Sequence, residues 1–274
     1  MNQVANFLIA LFHEGLEINT IAQYRSALSS SLPPIEGFKI GQNPAIGSLL
    51  KGFQNCRPKQ LKNVNNWSVD AVLLMLENWD ENTVLTPQRL TWKLAMLLAL
   101  TASNRVSELS YLDCNHMTFL PDGICFQHTS HKKNIANNKN PGKSYFPYYQ
   151  NNKKLCPCLC IKTYIERTNK IRNDEENPLF RSYIKPYNKV TPSTISRWIT
   201  SCIKEAGYDV KPHQQMGHSA RGKSASKAHI QGIPIIDILK AGDWKAKSTF
   251  ANFYYKPDFN SAYGSKILAH ALNN

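Results

Sequence analysis

No apolar run in this 274-residue chain reaches the roughly 18 residues a membrane-spanning helix needs. No basic-plus-apolar leader opens it either, so the reading expects neither a spanning nor a secreted protein, and no membrane partner. Internal repeats and low-complexity tracts are missing, which excludes solenoids, coiled coils and disordered tails. Zinc-knuckle spacing is missing too. Three of the seven cysteines form "CPCLC" (Cys156, Cys158, Cys160), but C-x-C-x-C is not C-x-x-C and no histidine stands at a useful distance. The expectation is buried thiols in a reducing compartment, and no metal. Acidic residues are scarce: 19 Asp and Glu face 33 Lys and Arg, a net charge of +14. Such an excess calls for a polyanion, most simply nucleic acid.

What is present reads mostly as helix. "VANFLIALFHEG" places Val4, Phe7, Leu8, Leu11 and Phe12 on one stripe and stops at Gly15. A second helix follows a cap at Asn19 and ends before Pro33-Pro34. A third takes Asn43 as cap and Pro44 at its first position. "QNCRPKQLKNVNN" is polar, basic and aperiodic, as a linker is. Residues 1–54 are thus expected to form a small helical unit, 55–66 a linker and 67–274 a larger domain. The larger domain opens with a helix capped by Ser68. A segment from Trp92 to Leu100, apolar nearly all round, marks a central buried helix. "MTFLPDGICFQHTS" and "KSYFPYY" read as short strands around a Pro-Asp-Gly turn and a cationic loop. Helical patterns fill the rest. The fold class is mainly α with one small antiparallel β-sheet.

The chemistry-bearing residues lie along this scaffold in order. Arg105 follows the buried helix, with Glu108 three residues on, where a surface ion pair is the ordinary explanation. Lys132 and Lys133 lie just past a strand, where a solvated loop charge is ordinary. In "MGHSARGKSASKAHI", His218 and Arg221 are three apart and so share a helical face, able to offer donors to one phosphate. "AGDWKAKSTFANFYYKP" holds Trp244, Tyr254 and Tyr255 among Lys245, Lys247 and Lys256, cations that a purely aromatic core patch would not need. Each element alone is weak.

Together, the order Arg105, Lys133, His218-x-x-Arg221, Trp244, Tyr254 resembles the catalytic set of tyrosine recombinases, the phage-integrase family. "RVSEL" is similar to that family's first arginine box, "HSAR" to its H-x-L-R box, and "GDW" stands where most members carry "LGH". The wording "LPPIEGF", "LLKGF", "MLLALT" and "ILKAGDWKAKSTFANFYYKP" is closest to the recombinases of DIRS-type retrotransposons and related eukaryotic mobile elements. The resemblance spans nearly the whole chain, with two departures. The usual spacing from the His/Trp position would land on Phe253, whereas Tyr254 is one residue further, with Tyr255 as its rival. Residues 1–54 are also short for the family's core-binding domain, as in a truncated unit.

The resemblance implies a tyrosine recombinase catalytic domain that cuts and rejoins DNA through a 3′-phosphotyrosine. Tyr254 would be the nucleophile, Arg105 and Arg221 the phosphate clamps, and Lys133 (or Lys132) the acid for the leaving 5′-oxygen. His218 and Trp244 would complete the site, and Glu108 would support Arg105. It implies no nucleotide or metal cofactor, double-stranded DNA as partner, a homotetramer on that DNA, and a nuclear location in a eukaryotic source. Three other classes compete: a domesticated, catalytically inactive DNA-binding protein, a type IB topoisomerase acting as a monomer, and a helical scaffold for RNA or membrane. An intact set of six, the HSAR and GDW wording, and the lack of an RNA-stacking signature argue against them in turn.

Overall fold

The computed structural model describes residues 1–35, 37–58, 67–128, 142–172, 177–211, 216–242 and 244. The chain divides into two compact units, Met1–Val64 and Asn65–Asn274.

Three helices build the first unit: α1 (Asn2–His13), α2 (Ile18–Ser31) and α3 (Pro44–Cys56). Their buried stripes join Val4, Leu8, Leu11, Ile21, Ile46, Leu50 and Phe53 in one core, with Ile40 from the turn before α3. The α3 start is as expected, because its signal is local. Asn43 Oδ1 accepts from the amides of Ala45, at 2.9 Å, and Ile46, and Pro44 has no N–H to orphan. Two expectations need correction. The α2 cap position is Glu17, and Asn19 lies inside the helix. Phe7 is not a core residue: it is 41% exposed and meets Tyr24 edge-on. Arg57 closes the unit's C-terminal end, donating to the carbonyls of Phe12 and Leu16 while its guanidinium covers the Phe12 ring.

The second unit is mainly helical with a single small sheet among the described residues. Its order is α4 (Val69–Asn78), α5 (Pro87–Thr101), α6 (Val106–Ser110), β1 (Met117–Leu120), β2 (Gly123–Gln127), β3 (Lys143–Pro147), α7 (Pro157–Thr168), α8 (Pro192–Glu205), α9 (Gly217–Ile230) and α10 (Ile235–Ala241). Ser68 caps α4, and Thr86 with Pro87 starts α5. Helix α5 is the axle. Nine consecutive-to-near positions from Leu90 to Ala99 are buried, and α7, α8 and α9 all pack on it. A helix buried on every side needs apolar residues on every side, which "LTWKLAMLLAL" supplies with two exceptions, Thr91 and Lys93.

The sheet is antiparallel in the order β1-β2-β3, with Ile124 opposite Phe146 and Phe126 opposite Ser144. Strand periodicity of two puts Ile124 and Phe126 on the core side of β2, and Ser144 and Phe146 on the core side of β3. The CPCLC cysteines are buried on α7 and at its start, and all are free thiols. Burial pushes the thiols of Cys158 and Cys160 up to about 12, so both stay protonated. Cys158 Sγ donates to the Phe146 carbonyl.

Candidate active site

The turn between α5 and α6 organises the site. Ser103 adopts a left-handed conformation, φ 48°, unusual for a residue with a side chain. That kink ends α5 and sends three successive side chains to three different elements. Ser103 Oγ meets Ser224 Oγ of α9 at 3.4 Å. Asn104 Nδ2 donates to Ser144 Oγ of β3 at 2.8 Å. Arg105 becomes the cap residue of α6 and turns to Glu108. The Glu108 carboxylate takes the Arg105 backbone N–H at 2.7 Å through Oε2 and the Arg105 guanidinium at 2.6 Å through Oε1. Arg105 remains accessible, its side chain 40% exposed.

Helix α9 supplies the second cation. Its start is clamped to α8. The Met216 amide donates to Thr200 Oγ1 and the Gly217 amide to Ser196 Oγ. A Cβ on Gly217 would collide with Val106 of α6 and Ser196, so α9 can approach this closely only with glycine there. Trp67 Nε1 donates to Ser219 Oγ, and Lys227 pairs with Asp70 of α4. Held in this way, α9 buries Arg221 to 1% exposure. The Arg221 guanidinium lies 4.5 Å from the centre of the Trp244 ring, donates to the Gly242 carbonyl, and brings Nη1 to 3.9 Å from Glu108 Oε2. Gly242 is needed here, because a Cβ would clash with the Trp244 indole. Trp244 itself is buried with Ala225, Ile238 and Leu239, fixed by its backbone N–H on the Leu239 carbonyl.

Arg105 and Arg221, from opposite ends of the domain's sequence, therefore meet on one carboxylate, and Trp244 forms the floor beneath the second of them. His218 does not share the burial of Arg221: it is exposed, at the second position of α9. The expected H-x-x-R pair is split between an outward histidine and an inward arginine. Lys132, Lys133, Tyr254 and Tyr255 lie outside the described residues. So does the segment from Phe259 onward.

Glu108, expected to support Arg105 alone, has a second cation in Arg221. Asn104, Ser144, His128, Ser103, Ser224 and Gly242 are not among the residues that the sequence singles out. Only Gly242 carried any signal, as the glycine of "GDW". Chemically, a planar guanidinium fork favours paired oxygens such as those of a phosphate, and of the two on this carboxylate Arg105 is accessible while Arg221 is buried.

No protein-family model matches the sequence, and no curated protein does. Solved structures do. The XerH site-specific recombinase bound to palindromic difH substrate, in a post-cleavage complex, matches 97% of this chain over 72% of its own, with 13% identity and a TM-score of 0.62. The Tn1549 transposon integrase in complex with transposon right end DNA matches 98% over 85%, at 14% identity and 0.61. XerA recombinase matches all of this chain over 99% of its own, at 17% and 0.53. The fold of this chain is that of the tyrosine recombinases.

Proposed function

We propose that this protein is a site-specific DNA recombinase that cuts and rejoins strands through a 3′-phosphotyrosine. One observation carries the reading: in a recombinase fold, Arg105 and Arg221 reach the same carboxylate. The neighbours named as DNA-bound recombinases and the +14 charge support a duplex partner. Arg105 and Arg221 clamp the nonbridging oxygens of the scissile phosphate. The Tyr254 oxygen attacks phosphorus, the bond to the 5′-oxygen breaks, and the tyrosine proton leaves by way of His218. Lys133 gives a proton to the departing 5′-oxygen. Trp244 packs under Arg221 and holds its plane. Reversal by the same or a partner strand's 5′-hydroxyl regenerates tyrosine. The ester keeps the bond energy, so the chemistry needs no nucleotide. The DIRS-like wording of "ILKAGDWKAKSTFANFYYKP" supports a mobile element as source, working as a multimer on its own ends, in the nucleus.

The test is incubation with a nicked duplex of the element's ends, from which the cleaved strand's short product diffuses away. A covalent protein–DNA adduct is expected, lost in Tyr254→Phe and kept in Tyr255→Phe. The reverse pattern would make Tyr255 the nucleophile, and no adduct in any form would defeat the reading. One observation favours a second reading, a DNA-binding protein that no longer cuts: Arg221 is turned inward onto Trp244 and Gly242. In that case duplex binding persists, salt-sensitive, with no adduct.

A further inference from the structure

The geometry points to Asn104, Ser144 and His128 as positioning residues, a buried brace that ties the exit from β2 and the entry to β3 to the Arg105 turn. The brace rests on the recombinase reading in one respect: the sequence between these two strands contains Lys133, the acid assigned to the leaving oxygen.

Ser144 Oγ lies 2.8 Å from Asn104 Nδ2 and 2.8 Å from His128 Nε2. All three side chains are buried, at 7%, 2% and 8% exposure for Asn104, Ser144 and His128. His128 is the last described residue before the 129–141 segment, and its N–H donates to the carbonyl of Gly142, the first residue after it. Asn104 directly precedes Arg105. A single hydroxyl therefore links the exit from β2, the entry to β3 and the arginine turn.

The inner face of the β2–β3 ladder argues that this is more than a satisfied core contact. Its inward positions run Ile124 and Phe146, then Phe126, all buried and apolar. At the end next to Arg105 the same face becomes Ser144 and His128. A core that served packing alone would continue the apolar series, since buried polar groups cost free energy unless each finds a partner. Here each partner is found, and the partners lie on the exit from β2, the entry to β3 and the turn that carries Arg105. A hydrogen bond is directional where an apolar contact is not. The brace thus fixes the register between the β2–β3 end and Arg105, the distance that sets whether a proton donor can reach a leaving oxygen on a phosphate held by Arg105.

Ser144→Ala cuts both contacts at one atom, Asn104→Ala cuts one of them, and Ser144→Thr returns the hydroxyl. Adduct formation is measured on two nicked duplexes, one ordinary and one with sulfur in place of the scissile 5′-oxygen. Sulfur leaves as a thiolate and needs no proton. The expected result is a loss of roughly ten- to hundredfold on the oxygen duplex in both alanine variants, with recovery in Ser144→Thr and near-parental rates on the sulfur duplex. Equal losses on both duplexes, or none on either, overturn the assignment. Backbone hydrogen exchange provides the adduct-independent arm: exchange over 123–128, 142–147 and 102–106 rises in Ser144→Ala and not elsewhere. An unchanged profile overturns the brace whether or not the parent forms an adduct. A parent inert on both duplexes, with the exchange change present, overturns the recombinase reading and leaves the brace standing.

Discussion

Two cations among the described residues, Lys93 and Arg221, are no more than 1% exposed, and their surroundings differ. Lys93, in the middle of α5, is fully buried, and its ammonium has no hydrogen-bond partner among the described residues. Arg221, on α9, is 1% exposed and sits over the Trp244 ring, on the Gly242 carbonyl and within 3.9 Å of Glu108. Burying a charge is unfavourable unless it is paired or neutralised. A lysine can shed its proton; an arginine cannot. In the α5 interior, desolvation draws the Lys93 ammonium below its ordinary range, toward the first solution, against smaller opposing effects from Cys160 and Glu81. The α9 region takes the second and surrounds a permanent charge with acceptors and a π-face. An accommodated arginine marks a site that needs a fixed cation; an unaccommodated lysine marks a core position that only needs a long apolar stem.

The largest expected effect breaks the comparison on the arginine side. Arg221→Ala removes a large buried side chain and the cover of Trp244, and should cost about 2–5 kcal/mol of stability. Chemical denaturation gives the number. A loss below about 1 kcal/mol, the range of an exposed pair, would mean the packing around Arg221 holds nothing together.

The opposite sign is expected at Lys93. Lys93→Met keeps the stem and removes the ammonium, so stability should rise by about 1–4 kcal/mol. The pH dependence sharpens this. The folded-state pKa is depressed, so between it and the ordinary lysine value the unfolded chain binds more protons. Stability therefore rises with pH across that window, and below the folded value the full penalty remains. The wild-type curve should show this rise toward alkaline pH and Lys93→Met should lack it. Parallel curves would show that Lys93 finds a partner in solution.

These contrasts indicate what the sequence makes legible. Signals carried within one turn were readable: Asn43 and Pro44 at α3, Ser68 at α4, Glu108 three residues from Arg105. The expected α2 start followed Asn19 because Asn is the better intrinsic cap, yet the helix begins at Ile18, which packs on the same core as Ile21 three residues on. The mainly α fold with its small sheet was legible from periodicity. The convergence of Arg105 and Arg221 was expected only through a family resemblance, since nothing local links α6 to α9. Hydrogen bonds such as Asn104 to Ser144, and the inward turn of Arg221, depend on which helices pack on α5, and no short window of sequence contains that. Lys93 is one polar residue in the apolar run from Trp92 to Leu100, and nothing in that run announces its full burial.

The smallest expected change in stability belongs to Arg105, which shares its carboxylate with Arg221 but stays in solvent. An exposed pair contributes about 0–1 kcal/mol, because water screens it and the side chains lose freedom on pairing. Arg105→Lys should therefore leave the unfolding midpoint nearly where it was. Glu108 still accepts the backbone N–H of residue 105, so the start of α6 survives. Function should respond differently. Lysine keeps the charge but not the planar fork, so the salt dependence of duplex binding should change little, while adduct formation falls with the loss of paired contacts to the phosphate. Arg105→Ala removes the charge too, and the slope of log affinity against log salt should shrink by about 0.9 if one phosphate contact is lost. Stability nearly constant across both variants, with the salt slope altered only in the second, would separate the exposed arginine from the buried one. If Arg105→Ala unfolds the protein as readily as Arg221→Ala, exposure is the wrong measure of what each guanidinium does, and the two belong to one structural cluster.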